Sequence, residues 1–151
     1  SGYGLDAVLT AQAELKDTHY YIIKLHPHTP EHTEVTNCDI PSEELLPVAD
    51  IVITDYSSIL FDAMIYQLPL VLFAPDLEEY LASRGFYLDY RTLPGIHIQK
   101  EEQLVKVLSD EARLNSSVNQ KYHDFLQDYM PACDGHASRR IMNYVSKSPN
   151  K

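Results

Sequence analysis

The fold is decided by residues 49–62, which read ADIVITDYSSILFD. Ile51, Val52 and Ile53 form a short, continuous apolar run, which is typical of a parallel strand covered on both faces. The polar turn 54–58 follows, and the apolar residues after it indicate a helix that begins at the two serines. We therefore predict a buried strand that runs directly into a helix.

This turn has the features of a phosphate site. Free backbone N–H groups and the positive end of the helix dipole meet where a helix begins, and such a place binds phosphate. Ser57 and Ser58 add two hydroxyl groups there. Asp62 follows Ser58 by four residues and so shares its helix face, where the carboxylate could accept hydrogen bonds from sugar hydroxyls. The turn predicts a nucleotide-diphosphate pocket.

A structural interpretation of the same residues stays open. Serine favours helix N-caps for stability alone. An acidic residue such as Asp62 in the first turns of a helix complements the dipole without any ligand.

The composition is ordinary for a soluble globular domain. The chain has 151 residues, of which 44% are hydrophobic and 23% charged, enough for one domain with a core. The formal net charge of −10 argues against a nucleic-acid surface and against a polybasic membrane anchor within these residues. Cys38 and Cys133 have no CxxC spacing, so we expect two free thiols, with a disulfide as the alternative.

The chain alternates between predicted strands and predicted helices. This alternation indicates an α/β fold with a Rossmann-like, doubly wound parallel sheet, in which ligands bind beyond the carboxyl ends of the strands. We expect residues 1–151 to form a single nucleotide-binding domain. The predicted strands are 20–25, a short one near 35, 51–54, 70–73 and 96–98; the predicted helices are 5–15, 43–48 (capped by Ser42), 58–66, 77–83, 100–108, 111–129 and 136–145.

His26 is the candidate catalytic residue. It stands at the end of the predicted strand 20–25 and is followed by Pro27. A histidine there could donate to a phosphate oxygen or act as a general acid; the alternative is a loop histidine that bonds a local carbonyl. His28 and His32 lie nearby, but no cysteine or aspartate neighbour completes a zinc-type ligand set, so no metal site is predicted.

Two further polar residues are weaker candidates. Arg84 could present its guanidinium fork to a phosphate, or could be a solvated loop arginine. Asp134 precedes the predicted helix 136–145, which Asp134 or Ser138 could cap. The segment is first of all a helix start, with a role at the edge of the ligand as the second possibility.

The chain resembles a known family through four ordered segments. Together they are similar to the CDP-glycerol:poly(glycerophosphate) glycerophosphotransferase family of teichoic acid synthesis, over residues 20–144. The segments are KLHP at 24–27, ADIVITDYSS with FD at 49–62, RGFY at 84–87 with LPG at 93–95, and DGHAS at 134–138.

The resemblance implies a GT-B architecture, in which two Rossmann-like domains enclose the active site between them. This chain resembles the carboxyl-terminal, donor-binding domain. The amino-terminal domain, which the family uses for a second catalytic histidine and for the acceptor, has no counterpart in these residues. We therefore expect this chain to be a fragment of a larger two-domain transferase.

The resemblance also implies a role for each candidate residue. His26 would contact the diphosphate and assist the departure of CMP. Ser57 and Ser58 would bind the diphosphate, and Asp62 would hold ribose hydroxyls. The remaining residues of the implied substrate-binding set are Thr54, Arg84 and Asp134.

The implied reaction transfers glycerol phosphate from CDP-glycerol to a lipid-linked glycerophosphate acceptor and releases CMP. No cofactor is expected and no carboxylate cluster requires a metal, although a divalent metal that bridges the diphosphate stays open. The implied location is the cytoplasmic face of a bacterial cell membrane, as a peripheral protein. The alternatives are another GT-B enzyme (a CDP-ribitol transferase, a UDP-sugar glycosyltransferase or an epimerase) and a non-catalytic Rossmann-like interaction module.

Overall fold

A computed structural model of the chain describes residues 4–25, 35, 38–84 and 87–147. Three short strands and eight helices are found in this part of the chain. They are, in order, α1 (Leu5–Glu14), α2 (Ser42–Leu45), β1 (Val52–Thr54), α3 (Ile59–Ile65), β2 (Leu70–Phe73), α4 (Leu77–Ser83), β3 (Ile96–Ile98), α5 (Glu102–Leu108), α6 (Glu111–Ser117), α7 (Gln120–Tyr129) and α8 (Ala137–Lys147), with 3-10 turns at Leu46–Val48 and Tyr90–Thr92.

The three strands form one parallel sheet in the order β1-β2-β3. Ile53 pairs with Val71, and Val71 pairs in turn with Ile96, so β2 is the central strand. Parallel neighbours need a crossover between them, and helices supply the crossovers here. The predicted parallel α/β sheet is confirmed for these three strands.

The burial of the central strand β2 explains why helices cover both faces of the sheet. All four residues of β2 are buried. Leu70 and Leu72 pack into a cluster with Met64 of α3 and Tyr122 of α7. Because successive side chains of a strand point to opposite faces, the other two residues of β2 meet a second layer.

That second layer lies across the sheet. Val71 and Phe73 pack with Ala11 of α1 and Leu104 of α5. Each fully buried aliphatic side chain contributes about 1.5–3 kcal/mol from the removal of apolar surface from water. The sheet is therefore covered on both faces, as the continuous apolar runs indicate.

Gly95 fixes the start of β3. Its φ of 126° lies in a region that residues with a side chain rarely adopt. A Cβ at this position would stand 3.0 Å from both the Cβ and the carbonyl oxygen of Leu70. Glycine is thus required because the chain passes directly over the central strand here.

The predicted strand at 20–25 is wrong as a strand, whereas the short strand predicted near residue 35 falls largely on residues outside the described ranges. Solvent exposure alternates along residues 20–25: Tyr20 and Ile22 are exposed, and Tyr21 and Ile23 are half-buried. In the described part of the chain, however, these residues pair with no neighbouring strand. A backbone bond from the Cys38 N–H to the Ile23 carbonyl (3.1 Å) is present instead. β-Forming residues give an extended, alternating segment, whereas a strand also needs a neighbour at the right distance and register.

The single predicted helix 111–129 is also wrong, because the chain breaks it into α6 and α7. Asn119 adopts an extended conformation between them, and its side chain accepts a hydrogen bond from the Tyr122 N–H at 3.4 Å. Asparagine competes for backbone donors in this way and begins a new helix. Similarly, the predicted helix 43–48 is one α-turn followed by a 3-10 turn, with Pro41 rather than Ser42 at the N-cap position.

None of the helices in the described ranges is both long enough and apolar enough to cross a membrane.

Candidate functional site

The polar turn joins β1 to α3. Thr54 ends the strand and is half-buried, whereas Ser57 and Ser58 are exposed. Ser58 occupies the N-cap position of α3 but makes no side-chain capping hydrogen bond. The Ser57 hydroxyl oxygen accepts only a long hydrogen bond, 3.4 Å from the Ile59 N–H. The two serine hydroxyls therefore contribute little to capping α3, and both serines are exposed at the carboxyl edge of the sheet.

Asp62 lies where the spacing predicts it. It is exposed in the first turns of α3, one helical turn beyond Ser58. The Ser58 carbonyl accepts a hydrogen bond from the Phe61 N–H at 3.0 Å, which fixes the pitch of this first turn. Thr54, Ser57, Ser58 and Asp62 thus follow one continuous strand–turn–helix surface.

A group of aromatic residues supports the turn from below. The Tyr56 hydroxyl donates to Asp76 Oδ1 at 2.7 Å, and its ring stacks on Tyr80 with 3.7 Å between centroids. Tyr90 lies tilted against Tyr56 at 5.5 Å and donates its hydroxyl to the Asp55 carbonyl at 3.1 Å. We call Tyr56, Asp76, Tyr80 and Tyr90 the tyrosine cluster.

The hydroxyls of Tyr56 and Tyr90 remain protonated donors. Burial raises the pKa of Tyr56 well above its usual value, and the hydrogen bond to Asp76 raises it further. Burial likewise raises the pKa of Tyr90, and the nearby carboxylates of Asp55 and Asp76 add to the effect. Both phenols therefore stay protonated at neutral pH and can act as hydrogen-bond donors.

Sequence reasoning did not assign a role to the tyrosines of this cluster. Their contacts join residues that are 20 and 35 positions apart, so no local spacing announces them. Two weak signals were present: Tyr56 stands inside the Asp-Tyr-Ser-Ser segment, and Asp76 lies three residues after the last residue of the strand β2. Both lie in turns at the carboxyl edge of the sheet, where ligands bind in such folds.

Arg84 is exposed at the carboxyl end of α4, and its N–H donates to the Tyr80 carbonyl at 2.9 Å. Arg84 thus directly follows α4, the helix that carries Tyr80 of the tyrosine cluster. Across the described ranges, no hydrogen bond or ion pair joins the Arg84 side chain to the 54–58 turn.

Asp134 is engaged locally. Both of its carboxylate oxygens accept from Arg140 Nη1 at 2.8 Å, and Oδ1 also accepts from the His136 N–H at 2.9 Å. The hydrogen bond from Arg140, followed by that from His136, lowers the pKa of Asp134 below its usual value. This is the helix-start role that sequence reasoning places first; a role at the edge of a ligand stays a prediction.

His26 lies outside the described residues, as do Gly85 and Phe86 of the Arg-Gly-Phe-Tyr segment. The segment before His26 is anchored by Lys24, whose ammonium donates to the carbonyls of Cys38 (2.9 Å) and Ile40 (2.6 Å). The role of His26 stays a prediction.

Neither a metal cluster nor a disulfide is found in the described ranges. No group of three or more histidine, cysteine or acidic side chains is arranged there to hold a metal ion. Cys38 and Cys133 are both free thiols, as expected.

Comparison with known proteins places the chain in a family. The family model for CDP-glycerol:poly(glycerophosphate) glycerophosphotransferase matches residues 6–147. The chain is 29% identical over 143 residues to a teichoic acid poly(ribitol-phosphate) polymerase of Bacillus spizizenii, covering 87% of this chain and 22% of that protein. It is 30% identical over 132 residues to a teichoic acid glycerol-phosphate transferase of Staphylococcus aureus, covering 85% of this chain and 34% of that protein.

The fold is similar to a solved relative. A variant of the wall teichoic acid polymerase TagF soaked with CDPG superposes with a TM-score of 0.74 at 28% identity, covering 97% of this chain and 38% of that one. This likeness confirms the predicted fold class, a parallel α/β domain of the kind from which GT-B transferases are built. The chain spans well under half the length of each of these three relatives.

The match over residues 6–147 and the exposed Ser57–Ser58 turn in a Rossmann-like sheet lead to one conclusion: the chain belongs to the CDP-glycerol:poly(glycerophosphate) glycerophosphotransferase family.

Proposed function

We propose that this chain is the donor-binding domain of a transferase that moves glycerol phosphate from CDP-glycerol to a lipid-linked teichoic acid acceptor. The observation that carries the proposal is the exposed Ser57–Ser58 turn at the carboxyl end of β1, in a chain of this family. Ser58 has a hydroxyl that does not cap its own helix, which leaves it suited to a phosphate oxygen.

The reaction is a phosphoryl transfer. The terminal hydroxyl oxygen of the acceptor forms a new bond to the β-phosphorus of the donor, the bond from that phosphorus to the bridging oxygen breaks, and CMP leaves. Such a reaction depends mainly on positioning and on electrostatic stabilisation. Ser57 and Ser58 would hold the diphosphate oxygens, and His26 would stabilise the phosphate that departs with CMP.

The rest of the pocket would bind the nucleoside and close the cleft. Asp62 would accept hydrogen bonds from the ribose, one helical turn beyond the diphosphate. Thr54, Arg84 and Asp134 would complete the substrate-binding set from the end of β1, the end of α4 and the start of α8. No resident cofactor is part of the proposal, and the metal requirement is tested directly by measuring transfer with and without EDTA and added Mg²⁺.

The acceptor hydroxyl must lose a proton to a base that the proposal assigns to an amino-terminal domain of the same protein. Support for such a partner domain comes from α8, in which Ile141, Met142, Tyr144 and Val145 are more than 60% exposed. Four apolar residues on one short helix form a surface that water solvates poorly. The proposal puts the whole protein at the cytoplasmic face of a bacterial cell membrane, where a lipid-linked acceptor is reached without crossing the bilayer.

A CDP-ribitol donor is the second candidate. It is favoured by the similarity to a poly(ribitol-phosphate) polymerase at 29% identity, which is close to the 30% identity to the glycerol-phosphate transferase. The turn 54–58 would bind the diphosphate of either donor. The two donors differ only in the alditol, which would lie on the acceptor side of the cleft.

The test uses the full-length protein and a panel of CDP-glycerol, CDP-ribitol and UDP-glucose, with CMP release and product mass as readouts. We expect turnover with CDP-glycerol. Preference for CDP-ribitol would select the second candidate, and use of UDP-glucose or binding of no donor would contradict both.

Variants of the turn test whether the site is catalytic at all. Ser58→Ala and His26→Ala should each lower kcat/KM by about 100-fold or more, on the scale of a lost phosphate contact, with an unchanged melting temperature. Ser116→Ala, on the exposed surface of α6, is the matched control. Unchanged turnover in both site variants would favour a non-catalytic interaction module.

A further inference from the structure

The turn that carries Ser57 and Ser58 is joined to the next βα turn by a side-chain hydrogen bond. Tyr56 immediately precedes the serines, and its hydroxyl donates to Asp76 at 2.7 Å, in the turn that follows β2. Because β1 and β2 are neighbours, both turns lie at the same edge of the sheet. The contact therefore joins two loops that the backbone ladder leaves independent.

Asp76 gives up its local role to make this contact. It occupies the N-cap position of α4, where aspartate ordinarily accepts a hydrogen bond from the first turn of its own helix. Its side chain makes no capping bond here and accepts from Tyr56 instead. A residue chosen only for the stability of α4 would be expected to cap it.

The ring of Tyr56 also contacts α4, the helix that Arg84 directly follows. The Tyr56 ring stacks on Tyr80 at 3.7 Å, and the Tyr80 carbonyl accepts from the Arg84 N–H at 2.9 Å. On the other side, Tyr90 holds the Asp55 carbonyl at 3.1 Å. The peptide groups just before Ser57 are thus held through both a backbone oxygen and a side chain.

We propose that Tyr56 and Asp76 are positioning residues that set the orientation of the Ser57–Ser58 turn, and with it the distance to α4, for binding of the donor diphosphate. This inference rests on the proposed function. The Tyr56 hydroxyl acts through the turn and touches no reacting atom. A positioned donor group saves the reorganisation that a mobile turn would require on binding.

The chemistry of the pair determines the variants. Tyr56→Phe removes the hydroxyl and keeps the stacked ring, Asp76→Ala removes the acceptor, and Asp76→Asn keeps an oxygen that can still accept. Tyr122→Phe is the matched control, because it removes a phenol that donates to the Leu68 carbonyl at 2.9 Å, in the core and away from the turn.

In the full-length protein, Tyr56→Phe and Asp76→Ala should each lower kcat/KM for CDP-glycerol about tenfold, on the scale of one lost hydrogen bond. The double variant should lose about the same tenfold rather than a hundredfold, because both changes break one interaction. Asp76→Asn should keep kcat/KM within about threefold of the unsubstituted protein. Tyr122→Phe should lower the melting temperature and leave kcat/KM unchanged.

Amide hydrogen exchange of residues 57–59 provides a second readout that does not depend on turnover. Exchange there should be faster in Tyr56→Phe and Asp76→Ala, and unchanged in Tyr122→Phe. The proposal is overturned if Tyr56→Phe and Asp76→Ala both keep kcat/KM within about twofold of the unsubstituted protein while their melting temperatures fall as that of Tyr122→Phe does. It is also overturned if the loss of kcat/KM in the double variant equals the product of the two single losses.

The two proposals fail in distinguishable ways. If the unsubstituted protein turns over neither CDP-glycerol nor CDP-ribitol, the proposed function falls and the exchange rates alone decide the positioning role. If the unsubstituted protein is active and Tyr56→Phe matches it in both rate and exchange, only the positioning role falls.

Discussion

The hydroxyl of Tyr90 donates to the backbone carbonyl oxygen of Asp55 at 3.1 Å, across 35 residues of chain. Tyr90 is 1% exposed, and Asp55 is the second residue of the polar turn 54–58. A buried core residue thus donates a hydrogen bond to the backbone of the proposed donor site. Stability and site geometry are therefore coupled at this contact.

Tyr90→Phe should destabilise the protein by about 1–2 kcal/mol, because a buried hydrogen bond is lost and the Asp55 carbonyl loses its donor. Urea unfolding followed by far-UV circular dichroism would measure the change. Tyr129→Phe, which alters a 56% exposed tyrosine, is the control and should stay within about 0.5 kcal/mol. An unchanged midpoint for Tyr90→Phe would show that the contact contributes nothing.

Gly95→Ala should be strongly destabilising. The φ of 126° is strained for alanine, and the new Cβ would stand 3.0 Å from the Leu70 carbonyl oxygen, so the central strand or the turn must shift. Gly135→Ala is an apt control: its φ is 75° and a Cβ would meet nothing within 4 Å, so only the backbone cost of about 1–2 kcal/mol applies. Equal midpoints of unfolding for the two variants would contradict the close approach at Leu70.

Asp62→Ala should weaken CDP binding by the full-length protein about tenfold, since a charged acceptor for the ribose hydroxyls is removed. The same substitution should leave the affinity for 2′,3′-dideoxy-CDP unchanged, because that ligand has no hydroxyls for Asp62 to bind. Calorimetric titration of both ligands completes the cycle, with Glu111→Ala as a surface control. Equal losses for the two ligands would remove Asp62 from the ribose site.

The Asp134–Arg140 ion pair should make stability depend on pH in one direction. The folded-state pKa of Asp134 lies below its usual 3.8, so the charged carboxylate stabilises the folded state above the unfolded pKa. That contribution should be complete above about pH 5 and lost as the pH falls through the lowered folded value.

The measurement is the difference in unfolding midpoint between the unsubstituted protein and Asp134→Asn, taken from pH 6 downward. The difference should shrink as the pH falls below 3.8. Asp128→Asn, an exposed carboxylate on α7, is the control. A difference that grows on acidification would reverse the assigned sign. The side chains of Asp134 and Arg140 are both exposed, so the effect of their ion pair on stability should weaken at high salt.

Local sequence was sufficient for the elements whose boundaries are set by short-range chemistry. β2, α4 and β3 have the predicted bounds, because an apolar run or a helical pattern is closed there by proline, glycine or a polar turn. The break between α6 and α7 was missed, because Asn119 competes for backbone donors inside an otherwise helical pattern. The segment 20–25 shows the opposite limit: its side chains alternate between exposed and half-buried as in a strand, but within the described ranges it pairs with no neighbouring strand.

For the candidate site, the same division holds. The sequence alone determined the strand–turn–helix of 49–62 and put Ser57, Ser58 and Asp62 on one surface, because strand periodicity, capping and helix pitch act over a few residues. Only the tertiary structure decided that Tyr56, Asp76 and Tyr90 hold this turn. Their contacts depend on which strands become neighbours, and that is fixed by burial of both faces of β2 rather than by any local pattern.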